Sequence, residues 1–196
     1  MDTIFFDTIF FDIDSQIDFV YPAGSLYVLG AEHIVREIAS LNQYAAGQGH
    51  LVVSTMDAHT ENDIEFKAWP PHCVVGTTGQ QKPTATLLHS HQVIPNGPTK
   101  FGGAKQILLE KQTFDCFTNI NLPGLLKQSN ARRFVVYGVV TEICVRMALE
   151  GLLKTGQRVE LVTDAVRSLN ARAAEEITAW FSAEGGLLTT TAQVKQ

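Results

Sequence analysis

What the chain lacks narrows its class first. Its three cysteines, Cys73, Cys116 and Cys144, are an odd number without paired spacing. That argues against a disulfide framework and fits a reducing compartment, so a cytoplasmic protein is expected. No dense run of Lys and Arg occurs and the net charge is −5, so nucleic acid is not an expected partner. No membrane role is expected either: Asp7 and Asp12 break the apolar start, and Met1-Asp2-Thr3 is not the basic opening of a signal peptide.

What is present fits one compact domain over residues 1–196, with 45% apolar and 18% charged residues. The opening repeats itself, Thr3-Ile4-Phe5-Phe6-Asp7 and then Thr8-Ile9-Phe10-Phe11-Asp12. A shift of five is odd, so one continuous strand would turn the two copies to opposite faces. The second copy, at 9–13, is the expected first core strand, and the first copy an extension of it or a frayed end. Further strands are expected at 51–55, 92–94, 106–109, 134–139, 159–162 and 187–191. Helices are expected at 31–46, 119–128, from Thr141 to Gly156, and at 168–183. This alternation predicts a three-layer α/β/α fold, doubly wound around a mostly parallel sheet.

The most informative stretch runs from Arg133 to Leu149, a buried strand, a turn at Gly138, and then a helix with Thr141 as expected N-cap. Cys144 falls in the first turn of that helix, where free N–H groups and the local field favour a thiolate and an oxyanion. The carboxyl-end rule then sorts the polar residues. In an open parallel sheet, ligands bind beyond the C-terminal ends of the strands. Asp14, Asp57, Lys111 and Cys144 all follow expected strands at that edge. Any one of them alone reads as a solvated loop residue or a small buried thiol.

A second constellation lies in the irregular segment between Met56 and Thr86. Asp57-Ala58-His59 places two metal-type ligands on one side of an extended segment. Glu65 and His72 follow, a mixed imidazole and carboxylate set suited to zinc, iron or manganese. Asp18 reads as a brace for its loop, and Asp164 as a loop or cap residue.

These motifs together resemble the isochorismatase-like cysteine hydrolases, and among them the nicotinamidases. The resemblance rests on Asp14-Ser15-Gln16-Ile17-Asp18-Phe19, on Lys111, and on Gly138-Val139-Val140-Thr141-Glu142-Ile143-Cys144-Val145. Asp57-x-His59 and Trp69-Pro70-Pro71-His72-Cys73-Val74-Val75-Gly76-Thr77 add the metal loop of nicotinamidases. The resemblance implies a catalytic triad of Asp14, Lys111 and Cys144, with an oxyanion held by the backbone at Val140 and Cys144. It implies a cis peptide at Val139–Val140, one divalent metal ion on Asp57, His59, Glu65 and His72, and Phe19 and Trp69 flanking a pyridine ring. A homo-oligomer is the common state of such proteins. Two departures stand out: Glu65 where many nicotinamidases carry His, and Gln112-Thr113-Phe114-Asp115-Cys116-Phe117 where a Tyr-Ser pair is frequent. The expected activity is hydrolysis of nicotinamide or a close pyridine carboxamide. The alternatives are another small amide, carbamoyl or ureido, on the same triad, or a non-catalytic binding protein on the same fold.

Overall fold

The computed structural model describes residues 6–196. Seven strands form one sheet, and every pairing is parallel. They are β1 (Thr8–Ile13), β2 (Leu51–Asp57), β3 (His91–Ile94), β4 (Gln106–Lys111), β5 (Arg133–Val139), β6 (Arg158–Arg167) and β7 (Leu187–Thr189), in the order β3-β4-β2-β1-β5-β6-β7. The central strands read as near-continuous apolar runs because helices cover both faces. All six residues of β1 are buried, including Asp12.

The helices are α1 (Ile17–Val20), α2 (Val35–Gly47), α3 (Leu122–Ser129), α4 (Arg146–Leu153), α5 (Ala171–Ala183) and α6 (Thr191–Val194). Helix α2 buries Val35, Ile38, Leu41, Asn42 and Ala45, a stripe of helical period. It carries the chain from β1 to β2, one strand in one direction, whereas α4 carries it from β5 to β6 in the other. Right-handed crossovers therefore put α2 and α4 on opposite faces. The order reverses at β1, which pairs with both β2 and β5, and a crevice opens there beyond the strand ends.

The three-layer reading holds, with corrections at element ends. Strand β2 runs on to Asp57, so that residue ends the strand instead of following it. Strand β6 extends to Arg167 with a register break against β5, which places Asp164 inside a strand. Its carboxylate still accepts the Thr191 N–H at 2.8 Å, tying down the start of α6. Residues 190–194 form a capping box and a helical turn, not the end of a strand. The expected helix at 168–183 begins only at Ala171, because the Asn170 side chain caps it. Most of the first repeat copy lies outside the described residues. Among those described, no helix is long and apolar enough to cross a membrane.

Candidate functional site

Four strand ends deliver the site. Asp14 follows β1 with φ 46°, a left-handed conformation that a residue with a side chain rarely adopts. Its N–H donates to Thr55 Oγ1 at 3.1 Å, and the same hydroxyl donates to Asp14 Oδ1 at 2.6 Å. Lys111, the last residue of β4, is completely buried. Its Nζ lies 2.9 Å from Asp14 Oδ2, donates to Asp57 Oδ1, and sits 3.9 Å from Cys144 Sγ. One cation thus joins both carboxylates to the sulfur. Asp57 is the hinge between the two sequence constellations, with Oδ1 on Lys111 and Oδ2 3.9 Å from His59 Nε2.

Glycine is obligatory at the end of β5. Gly138 has φ 118°, and a Cβ there would run into the backbone of Ile13. The Val139–Val140 peptide that follows is cis. Residues Thr141–Val145 then form a π-helical turn, in which the Ile143 and Val145 N–H groups both donate to the Val140 carbonyl, at 3.1 and 3.2 Å. Thr141 does not cap this turn. Its hydroxyl donates to the Arg167 carbonyl at 2.8 Å, and Val140 holds the capping position without a side-chain bond.

The electrostatics at Cys144 set burial against the helix start. Burial pushes the thiol well above its ordinary pKa; Lys111 pulls it down, and Asp14 and Asp57 push it further up. Against the pull of the helix start stand burial and two carboxylates that already share one ammonium. Burial acts against the Lys111 ammonium, but Asp14, Asp57 and Cys144 outweigh it and hold its pKa well above normal. The Asp57 carboxyl is pushed up to about 6, mainly by burial and despite Lys111, with Asp14 adding to the rise.

Ligand atoms of Asp57, His59 and His72 all lie within 4.8 Å of one another. His72 Nδ1 is 2.7 Å from the Pro70 carbonyl, which fixes the tautomer that leaves Nε2 free for a ligand. His59 Nδ1 is 3.0 Å from Asp63 Oδ2 but out of line for a hydrogen bond, and His59 Nε2 is buried without a hydrogen-bond partner. An unsatisfied imidazole nitrogen beside a second imidazole and a carboxylate fits a divalent cation. Glu65 stays outside this convergence, with Oε1 3.6 Å from His72 Nε2. Burial lowers the His72 pKa, but Glu65, the Pro70 carbonyl and Asp57 outweigh it and leave it raised.

Asp14, Phe19, Asp57, Glu65, Trp69, His72, Val140 and Cys144 share one cleft, with about 490 Å³ of empty space opening to solvent. The Phe19 ring packs 5.3 Å from that of His72. The cleft's apolar wall comes from Leu26, Tyr27, Val28, Phe114, Ile143 and Leu169. Ile143 and Phe114 lie in segments the sequence reading quoted, without a role of their own, and Leu26, Tyr27, Val28 and Leu169 were not singled out. Asp18 does brace its loop, with Oδ1 accepting from Ser25 N–H at 2.9 Å and Oδ2 from Cys73 N–H at 2.7 Å. Gln16 was also passed over; it donates to the Asp57 carbonyl at 2.9 Å and accepts the Asp57 N–H at 2.7 Å.

The fold and this cleft define a class, an α/β domain with a cysteine, a lysine and carboxylates gathered at the switch point of a parallel sheet. Residues 8–193 match the isochorismatase domain, and the chain belongs to that family. It is 28% identical to a nicotinamidase/pyrazinamidase of Mycobacterium tuberculosis over 172 residues, covering 81% of this chain and 86% of that protein. A pyrazinamidase of Pyrococcus horikoshii in complex with zinc superposes with a TM-score of 0.81 at 25% identity, over 94% of this chain and 99% of that one. PnC1 of L. infantum in complex with nicotinate gives 0.79 at 26%, over 95% and 93%.

Proposed function

We infer that the protein is a cysteine amidohydrolase that converts nicotinamide, or a close pyridine carboxamide, to the acid and ammonia. The observation that carries this reading is the position of Lys111 Nζ, 2.9 Å from Asp14 Oδ2 and 3.9 Å from Cys144 Sγ. Asp14 Oδ2 is ion-paired with Lys111 but makes no aligned hydrogen bond among the described residues, so it keeps capacity to accept the proton of Cys144. The Lys111 ammonium faces the carboxylate before that transfer and steadies the thiolate after it.

The thiolate attacks the amide carbonyl, and the backbone N–H groups of Val140 and Cys144 hold the developing oxyanion. Asp14 returns the proton to the nitrogen as the C–N bond breaks. Ammonia leaves and a thioester remains on Cys144. Asp14 then takes a proton from water as it attacks the thioester, and the acid departs with the thiol restored. Phe19 and Trp69 stack against the ring and orient the carboxamide toward sulfur. Asp57, His59 and His72 would hold a divalent ion, with Glu65 at its margin. That ion, when bound, supplies a Lewis-acid anchor for a pyridine nitrogen.

The relatives' names support the substrate, and the zinc complex of the Pyrococcus horikoshii protein supports the metal. The experiment is ammonia release from nicotinamide by zinc-loaded protein, with and without prior chelation and in a Cys144→Ala variant. Turnover lost in both treatments is expected. Turnover of a ureido compound with none of nicotinamide would move the substrate to the carbamoyl class.

A further inference from the structure

A second buried lysine lies behind the site, in a cluster that no step above uses. Lys82 Nζ donates to Asp12 Oδ2 at 3.1 Å and to Ser15 Oγ at 2.9 Å, and Ser15 Oγ donates to Asp12 Oδ1 at 2.5 Å. Asp12 and Ser15 are completely buried, and Lys82 is almost so. Ser54 Oγ donates to Asp12 Oδ2 at 3.0 Å, and Asn42 Nδ2 approaches the same atom at 3.4 Å. Tyr137 of β5 donates to Asn42 Oδ1 at 2.6 Å. The cluster thus joins β1, β2, β5, α2 and the loop that carries Lys82.

Its position relative to Asp14 is what matters. Successive strand residues point to opposite faces, so residues two apart share one. Asp12 and Asp14 would then share a side. Instead they are received by Ser54 and Thr55, adjacent residues of β2 that point opposite ways. The chain turns over between them, and the left-handed backbone of Asp14 marks the place. Such a conformation persists in a residue with a side chain only when its surroundings over-determine it. Thr55 grips Asp14 on one side. On the other, Ser15 is fixed from two directions by the Asp12–Lys82 pair.

The geometry points to Ser15 and Lys82 as positioning residues. They clamp the turned-over backbone of Asp14, so that its carboxylate faces Lys111 and Cys144 instead of following Asp12 to the other face. This rests on the proposed role of Asp14 as proton acceptor. Neither residue touches the reacting atoms. The clamp acts through the backbone between Asp12 and Ser15.

Ser15→Ala is the cleanest test, because Asp12 keeps its bonds from Lys82, Ser54 and Asn42 and the variant retains its core. Two readouts are taken on folded, zinc-loaded protein: kcat and KM for nicotinamide, and the rate of Cys144 alkylation by iodoacetamide from pH 6 to 9. The clamp predicts that kcat and the alkylation rate at neutral pH both fall on the order of tenfold, while KM stays within about twofold. Lys82→Met is expected to give the same split where it folds. Unchanged kcat and alkylation in Ser15→Ala, with only a lower melting temperature, would overturn the proposal and leave the cluster as packing. Alkylation that ignores Asp14→Asn would remove the triad itself, and with it any purpose for the clamp.

Discussion

Two buried lysines sit behind the same sheet edge, and their surroundings differ in one respect. Lys82 faces Asp12 and Ser15 in a closed set where Asp12 accepts on both oxygens. Lys111 faces Asp14, Asp57 and a thiol, and its set is open: Asp14 Oδ2 has the Lys111 ion pair but no aligned hydrogen bond, and His59 Nε2, beside Asp57, is buried with no hydrogen-bond partner among the described residues. A polar cluster in which every buried side chain is bonded fixes shape, because its groups are held by one another. An unsaturated one holds the same charges at a cost and keeps donors and acceptors available for a ligand or a proton. The difference separates scaffold from chemistry more sharply than residue type, since each cluster pairs lysine with aspartate.

The comparison breaks most readily at the open cluster. Lys111→Met should lower ammonia release on the order of a thousandfold. It should also cost about 3 kcal/mol of stability, because two buried carboxylates lose the ammonium between them; steady-state assays and urea unfolding read the two effects. If Lys111→Met kept full turnover, the open cluster would not be the reactive one. Next in size, His59→Ala should remove most bound zinc, measured by elemental analysis after dialysis, while the far-UV spectrum stays native. An equal zinc content would place the ion elsewhere.

Lys82→Met sharpens the contrast from the other side. It should destabilise the protein by about 3 kcal/mol, by stranding Asp12, yet leave zinc content unchanged. Smaller still is the effect expected at Glu160. Burial raises its pKa, but Arg133 and Arg158 outweigh that and lower it. A carboxyl whose folded pKa is depressed adds stability above its unfolded pKa and loses it as pH falls through the folded value. Glu160→Gln should therefore lower the melting temperature near neutral pH by a few degrees, and the gap from wild type should narrow as the pH falls below the ordinary glutamate value of about 4.3. A gap that widened in acid would contradict the sign.

The open cluster was largely legible in the sequence, because strand ends in an α/β chain have known consequences. Placing Asp14, Asp57, Lys111 and Cys144 after four apolar runs was enough to bring them to one edge. What sequence could not carry was conformation within those loops. Nothing in Asp12-Ile13-Asp14 announces a left-handed residue, so alternation puts the two aspartates on one side and the structure separates them. Lys82 went unnoticed because it lies 70 residues from Asp12 in a stretch without periodicity. Thr141 misled for a related reason: a hydroxyl before an apolar run is a good cap signal, but this one is drawn to the Arg167 carbonyl by tertiary packing. Burial at Cys144, which raises the thiol pKa against the helix start, is not disclosed by its place in a first turn.

Whether the sulfur of residue 144 carries the acyl group decides the chemistry. Zinc-loaded protein is mixed with nicotinamide, quenched in acid within one turnover, and its intact and peptide masses are measured. A nicotinoyl adduct confined to the Cys144 peptide, absent in Cys144→Ala and accumulating less in Asp14→Asn, is the predicted result. Ammonia released at the wild-type rate by Cys144→Ala, with no acylated peptide, would contradict it.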